Sequence, residues 1–218
     1  MPWVKTGINR LIPSPIWQPV PPLRRIVEEI DAGDVVLDLG AGGRQIVDGV
    51  VAVDFVAFPN TDVVCDVHQL AFSPESVDVV ICTGTLEHVS DPARVMDEIY
   101  RVLKPGGLVH VEVPFIQPYH PDPVDYWRWT PEGVRLFGTR HGFREIDNGM
   151  HLGPSSALNE VLVAYGRSFF RRRVARKIAE SLVTCAVFLL KYLDRFLLGR
   201  TRDMPSGVYF TGRKEPGR

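Results

Sequence analysis

The sequence predicts an α/β fold, a doubly wound and mostly parallel sheet with a C-terminal helical insertion before the last strand. Three observations carry this. Short apolar, β-branched runs recur at residues 35–37, 50–53, 61–66, 77–83 and 108–114. The first three of them end at the carboxylates Asp38, Asp54 and Asp66. Between the last two lies a segment of helical periodicity, and strands alternating with helices pair in parallel, with a ligand cleft at their C-terminal ends.

Each element has a local reason. Pro13, Pro15, Pro19, Pro21 and Pro22 make residues 11–22 an extended arm, and a helix follows over 23–30 with Glu28-Glu29 on its solvated face. The first strand enters a turn at Gly40, Gly42 and Gly43. Asp54 follows Asp38 by only 16 residues, which leaves little room for a helix between the first two strands. After residues 61–66, the stretch from His68 to Pro74 is rich in turn formers. Asp91 and Pro92 are a natural N-cap and first helical residue, and Val95, Met96, Ile99, Val102 and Leu103 then share one helical face. Lys104-Pro105-Gly106-Gly107 stops that helix before the strand at 108–114. Thr130-Pro131 starts a further short helix through Phe137. Residues 207–212 form the last strand. One domain over 1–218 is expected, with the arm at 1–22, a cofactor-binding core at 23–153, the helical insertion at 154–200, and the last strand and tail at 201–218.

The glycine turn selects the ligand class. Glycines let the backbone turn sharply and approach a ligand closely. A dinucleotide fingerprint requires G-x-G-x-x-G, but Gln45 stands at the third glycine position, and Asp38 would repel a pyrophosphate. A carboxylate there attracts an ammonium group instead. That favours a zwitterionic nucleoside such as S-adenosylmethionine over a nicotinamide cofactor. Asp54 sits where an open α/β sheet places the group that holds two ribose hydroxyls, although the residues alone also allow a helix cap.

In these blocks, from about Pro22 to Phe143, the chain resembles the small class I S-adenosylmethionine-dependent methyltransferases of Rossmann-like fold. The strings Leu86-Glu87-His88-Val89-Ser90-Asp91-Pro92 and Arg101-Val102-Leu103-Lys104-Pro105-Gly106-Gly107 are the most family-like. The resemblance implies that Asp38, Gly40 and Gly42 contact the amino-acid end of the cofactor. It places Asp54 on the ribose, Asp66 and Val67 on the adenine, and Thr83 and Gly84 on the floor. Arg44 departs from it, standing where many relatives carry another glycine.

The segment from His120 to Pro131 is the second informative region, and similar strings occur at this place in a subset of the family. His120 is the candidate proton acceptor and Asp125 the group that orients it, since an imidazole titrates near working pH. Arg128 suits a substrate carboxylate or phosphate, and Tyr126 and Trp127 offer aromatic faces. An internal Asp125–Arg128 ion pair with the tryptophans as core anchors is equally open. His88 is the other candidate near the transferring methyl, or a residue packed at a helix entry. The six histidines and three cysteines have no metal-ligand spacing, so no metal is expected.

Composition, with 45% hydrophobic and 23% charged residues, suits a globular chain. Unspaced cysteines indicate free thiols in a reducing compartment, and no long apolar segment follows Met1-Pro2-Trp3, so a cytoplasmic location is expected. The net charge of −1 hides an asymmetry: residues 1–166 carry 12 basic and 22 acidic groups, and residues 167–200 carry nine and two. The uncharged run inside this basic segment is too short to span a bilayer. Three readings are open for it: packing on the sheet or in a homodimer, a helix lying on anionic lipid at the inner face of a membrane, or a nucleic-acid patch. The last is disfavoured by the lack of an aromatic-interleaved motif. The expected activity is methyl transfer from S-adenosylmethionine to an oxygen or nitrogen of a small molecule, with a sugar or lipid-linked intermediate as the acceptor class. A non-catalytic binding module at a membrane surface is the alternative, and an NAD-dependent oxidoreductase is disfavoured by Asp38 and Gln45.

Overall fold

The computed structural model describes residues 22–44 and 49–215. The expected arm, apart from Pro22, and Gln45 lie outside these residues. The strands are β1 (Val36–Leu39), β2 (Val51–Asp54), β3 (Val63–Val64), β4 (Val77–Thr83), β5 (Leu103–Pro114), β6 (Phe143–Leu152) and β7 (Gly207–Lys214). They form one seven-stranded sheet in the order β3-β2-β1-β4-β5-β7-β6, and the pairs β1–β2, β1–β4, β2–β3 and β4–β5 are parallel. This is the doubly wound arrangement expected, with β1 central and buried at every residue. Helix α1 (Pro22–Glu28) packs Leu23 and Ile26 against Val36, Val79, Ile81 and Leu108. Burying such side chains supplies about 1.5–3 kcal/mol each.

Local chemistry sets the helix starts. Asp91 Oδ1 accepts the Arg94 N–H at 3.1 Å at the head of α2 (Pro92–Val102), and Thr130 Oγ1 accepts that of Gly133 at 2.9 Å at the head of α3 (Pro131–Arg140). Helix α2 buries Val95, Met96, Ile99 and Val102, the face expected from the periodicity. The short connection between β1 and β2 holds no helix among its described residues.

Three elements differ from expectation. The third strand is only Val63–Val64, a half-exposed edge, so Asp66 lies beyond the ladder in a turn with His68. Strand β5 begins at Leu103. Leu103 pairs with Val77 and Leu108 with Val79, so the Pro105-Gly106-Gly107 stretch bulges out of register while Lys104 Nζ holds Asp78 at 2.8 Å. Strand β6 was not expected, because its residues Phe143 to Leu152 alternate only loosely and are mostly polar.

The described chain divides into two compact units: a sheet unit of residues 22–114, 121–149 and 208–215, and a helical unit of residues 115–120 and 150–207. The helical unit holds α4 (Pro154–Ser168), α5 (Arg173–Val187), a 3₁₀ segment (Phe188–Leu193) and α6 (Asp194–Leu197), the insertion expected before the last strand. Fully buried Asp194 caps α4, accepting from Ser155 N at 2.8 Å, Ser156 N at 2.9 Å and Ser156 Oγ at 2.7 Å. Gly166 lets α4 and α5 approach, since a Cβ there would lie 2.8 Å from Val183 Cγ2. No helix among the described residues is long and apolar enough to cross a membrane.

Candidate cofactor-binding site

The parallel register places Asp38 beside Ala52 of β2 and Ile81 of β4, at the C-terminal end of the central strand. The chain then turns through Gly40, Gly42 and Gly43, all at positive φ. Gly40 N donates to Val53 O at 2.8 Å. A Cβ on Gly40 would stand 2.2 Å from Thr85 Oγ1, whose hydroxyl donates to Leu39 O at 2.9 Å, so the turn is closed against any side chain here. Gly42 N donates to Asp54 Oδ2 at 2.8 Å and Val56 N to Asp54 Oδ1 at 2.9 Å. Asp54 thus pins the glycine turn to the end of β2, and each of its oxygens keeps a second lone pair.

Asp38 is the unusual group. It is 1% exposed, and neither carboxyl oxygen has a hydrogen-bond partner among the described residues. Burial pushes its pKa from the ordinary 3.8 to about 7, with the Arg44 guanidinium opposing the rise and Asp54 adding to it. An unpartnered buried carboxylate costs free energy unless a cation or donor arrives. Arg44 is the resident cation nearby. Its Nε donates to Ala41 O at 3.1 Å, and its Nη2 to Gly40 O at 3.3 Å and Thr83 O at 3.2 Å. The arginine that breaks the glycine pattern therefore folds back over the turn and spans to the end of β4.

The two residues expected to form the floor lie at the end of β4 and just beyond it. Thr83 is buried, Gly84 has φ +65°, and Gly84 N donates to Glu112 O at 3.0 Å. Asp66 is exposed, and the His68 backbone N–H, followed by its ring, holds the Asp66 carboxyl below the ordinary range, while Val67 is buried.

Around the 3₁₀ turn Leu86–His88 the substrate candidates of the sheet unit gather. Tyr126 N donates to Glu87 O at 2.7 Å, the Trp127 indole N–H to Val89 O at 2.9 Å, and the His88 ring bonds Val124 O. These contacts bind the loop to the turn and leave Tyr126 and Trp127 with exposed faces. Arg128 grips Asp125 with both terminal nitrogens, the ion pair left open by the sequence. Trp129 packs on Phe137 of α3 at 4.7 Å between centroids. His120 belongs to the helical unit, where its Nδ1 lies 2.9 Å from Pro118 O and the same segment is held by Phe115 N on Ser206 O at 2.8 Å.

Two groups escaped the sequence reading. Glu112 of β5, opposite Thr83, and fully buried His110 lie on one face of the strand; His110 Nε2 is 3.2 Å from Glu112 Oε1 and Nδ1 2.8 Å from Thr211 Oγ1. Their signal was two polar residues, two apart, in an otherwise apolar run. Glu87, inside the family-like string 86–92, is buried as well.

A family model described as "Methyltransferase domain" matches residues 37–111. The ubiquinone biosynthesis O-methyltransferase of Pseudomonas putida is 34% identical over 102 residues, covering 36% of this chain and 43% of that protein. The chain thus spans less than half the length of the curated relatives it matches. Among solved structures, a phosphoethanolamine N-methyltransferase of Haemonchus contortus in complex with S-adenosyl-L-methionine superposes with TM-score 0.58 at 19% identity, over 88% of this chain and 51% of that one. A SAM-dependent methyltransferase of Archaeoglobus fulgidus superposes with TM-score 0.56 at 16% identity, over 88% and 91%. The strand order and these superpositions agree on a Rossmann-like fold, and residues 37–111 match a methyltransferase domain.

Proposed function

We propose that the chain binds S-adenosylmethionine at the ends of β1, β2 and β4 and transfers its methyl group to an oxygen or nitrogen of a small molecule, with a sugar or lipid-linked intermediate as the acceptor class. The observation that carries this is Asp38, buried with no partner among the described residues, inside a turn too tight for a side chain at Gly40. When bound, the cofactor supplies an electrophilic methyl on a cationic sulfonium. Asp38 meets the ammonium with Gly40 and Gly42, and Asp54 uses its remaining lone pairs on the ribose hydroxyls. Asp66 and Val67 border the adenine, and Thr83 and Gly84 close the floor. In-line displacement needs alignment and exclusion of water more than acid–base help, so at most one base takes the acceptor proton. His120 is assigned that role and Asp125 its orientation, with His88 as the other candidate. Tyr126, Trp127 and Arg128 hold the acceptor.

Arg44 supports the second reading, a non-catalytic module at a membrane surface, because its guanidinium engages the Gly40 and Thr83 carbonyls that border the site. Calorimetric titration with S-adenosylmethionine, S-adenosylhomocysteine and NAD separates the readings. Methyl transfer requires binding of the first two, with a loss of at least tenfold in Asp54→Ala. Binding without transfer of label into any component of a cell extract supports the module, and preference for NAD refutes both. In either reading the basic segment 167–200 is proposed as a peripheral membrane contact rather than a homodimer or nucleic-acid surface.

A further inference from the structure

The helical unit exposes an apolar stripe. On α5, Val174, Ile178, Leu182 and Cys185 all lie at the surface, Val174 at 71% and Leu182 at 67% exposure. At 3.6 residues per turn they fall within a sector of about 80°. Ala179 and Thr184, on the remainder of the helix, are buried. Helix α4 adds Leu158, Val161 and Tyr165, also exposed and spaced by three and four residues. The connection between the two helices is Phe169-Phe170-Arg171-Arg172, exposed throughout, with Tyr165 edge-on to Phe169 at 5.0 Å. Exposed apolar faces of this extent mark contact surfaces rather than ordinary solvent-facing helices.

Charge selects the occupant. Arg171, Arg172, Arg173, Arg176 and Lys177 are all exposed at the start of α5 and the turn before it. The two acidic residues of 167–200 do not neutralise them: Glu180 pairs with Arg167 at 3.8 Å, and Asp194 is buried at the head of α4. A second copy of this chain would set one arginine cluster near another. A bilayer bearing anionic headgroups offers countercharge to the arginines and acyl chains to Val174, Ile178, Leu182 and the two phenylalanines, which is how an interfacial helix lies in a membrane surface.

We infer that the α4–α5 hairpin seats on an anionic lipid bilayer, its Phe169-Phe170 tip and α5 apolar stripe entering the acyl boundary and its arginines engaging phosphate headgroups. This deepens the peripheral-membrane part of the proposed function. It is independent of methyl transfer.

The test is sedimentation of the full chain with phosphatidylglycerol–phosphatidylcholine vesicles and with phosphatidylcholine alone, at low and high salt. The protein is expected to pellet with the anionic vesicles only and to be released by salt. The variant R171Q/R172Q/R173Q should lower partitioning roughly a hundredfold, at about one fivefold factor per arginine. V174S/I178S/L182S, at exposed positions that leave the fold intact by circular dichroism, should lower it at least tenfold. No pelleting with anionic vesicles at low salt, equal pelleting with neutral ones, or variants that bind like wild type each overturn the inference. So does a lipid-free dimer that the serine variant dissociates. Titration of both variants with S-adenosylhomocysteine reads the cofactor site separately, so failure there leaves the vesicle result standing.

Discussion

Replacing Asp38 by Asn should stabilise the ligand-free protein at about pH 8 while weakening its cofactor site. The folded carboxyl titrates near 7 against an ordinary 3.8, because burial penalises its charge. One pH unit of displacement corresponds to about 1.4 kcal/mol, so keeping the group ionised in the fold costs about 4 kcal/mol. The sign follows from the raised value: the neutral form favours folding. Its contribution is fully present below about pH 4 and is lost as pH rises through about 7. An Asn amide is neutral at every pH and equally unbonded, so it matches the protonated acid and avoids the charge. Urea unfolding across about pH 4 to 8.5 should find the variant more stable by up to about 4 kcal/mol at the alkaline end, with the difference shrinking toward zero at the acid end. The cofactor reads the opposite way. An ammonium ligand needs the carboxylate, so wild-type affinity for S-adenosylmethionine should rise through about pH 7, and the variant should bind at least tenfold more weakly at pH 8. A stability difference that does not change with pH, or an Asn variant less stable at pH 8, refutes the reasoning.

Arg44→Ala should raise affinity for S-adenosylhomocysteine about tenfold by calorimetry, since the guanidinium no longer holds the Gly40 and Thr83 carbonyls; a loss of affinity would mean that Arg44 helps to bind the ligand. Gly40→Ala should cost about 2–4 kcal/mol in denaturant unfolding, combining strain at φ +71° with the overlap on Thr85, and Thr85→Ala, which removes both overlapping atoms, should make the added cost of Gly40→Ala smaller. His120→Ala should lower turnover roughly 10²–10⁴-fold once an acceptor is known, with cofactor affinity unchanged; a parallel fall in both marks a structural residue.

The sheet was legible because its signals are local. An apolar run ending in Asp38 and glycines can only be a buried strand meeting a tight turn, and Asp91-Pro92 or Thr130-Pro131 carries its cap within three residues. Strand β6 was not legible. Its inner side is decided by neighbours far along the chain, such as Tyr209, whose hydroxyl donates to Asp147 at 2.8 Å, and a run of Arg, Glu, Asp and Asn carries no period of its own. The brevity of β3 has the same origin, since an edge strand of two residues is set by where its partner β2 stops pairing.

The candidate site divides along the same line. The tight turn at Gly40 and Gly42 was legible in the spacing of its glycines, whereas the floor at Thr83 and Gly84 was implied only by the family resemblance. Residues that act through convergence of distant segments were not legible. In the sequence Arg44 is only a departure from the glycine pattern, yet its reach to Thr83, 39 residues on, makes it a cation held against the carbonyls at the edge of the candidate site and close enough to Asp38 to oppose its protonation. The orphaned carboxylate and the occupied carbonyls are two halves of one balance. Asp38 gains from any cation that approaches, and Arg44 answers only partly, because its own hydrogen bonds go to backbone oxygens and leave both carboxyl oxygens unpartnered among the described residues. A ligand ammonium that bonds Asp38 directly therefore has more to gain than the resident guanidinium, which is the physical ground for expecting exchange of one cation for the other at the end of β1.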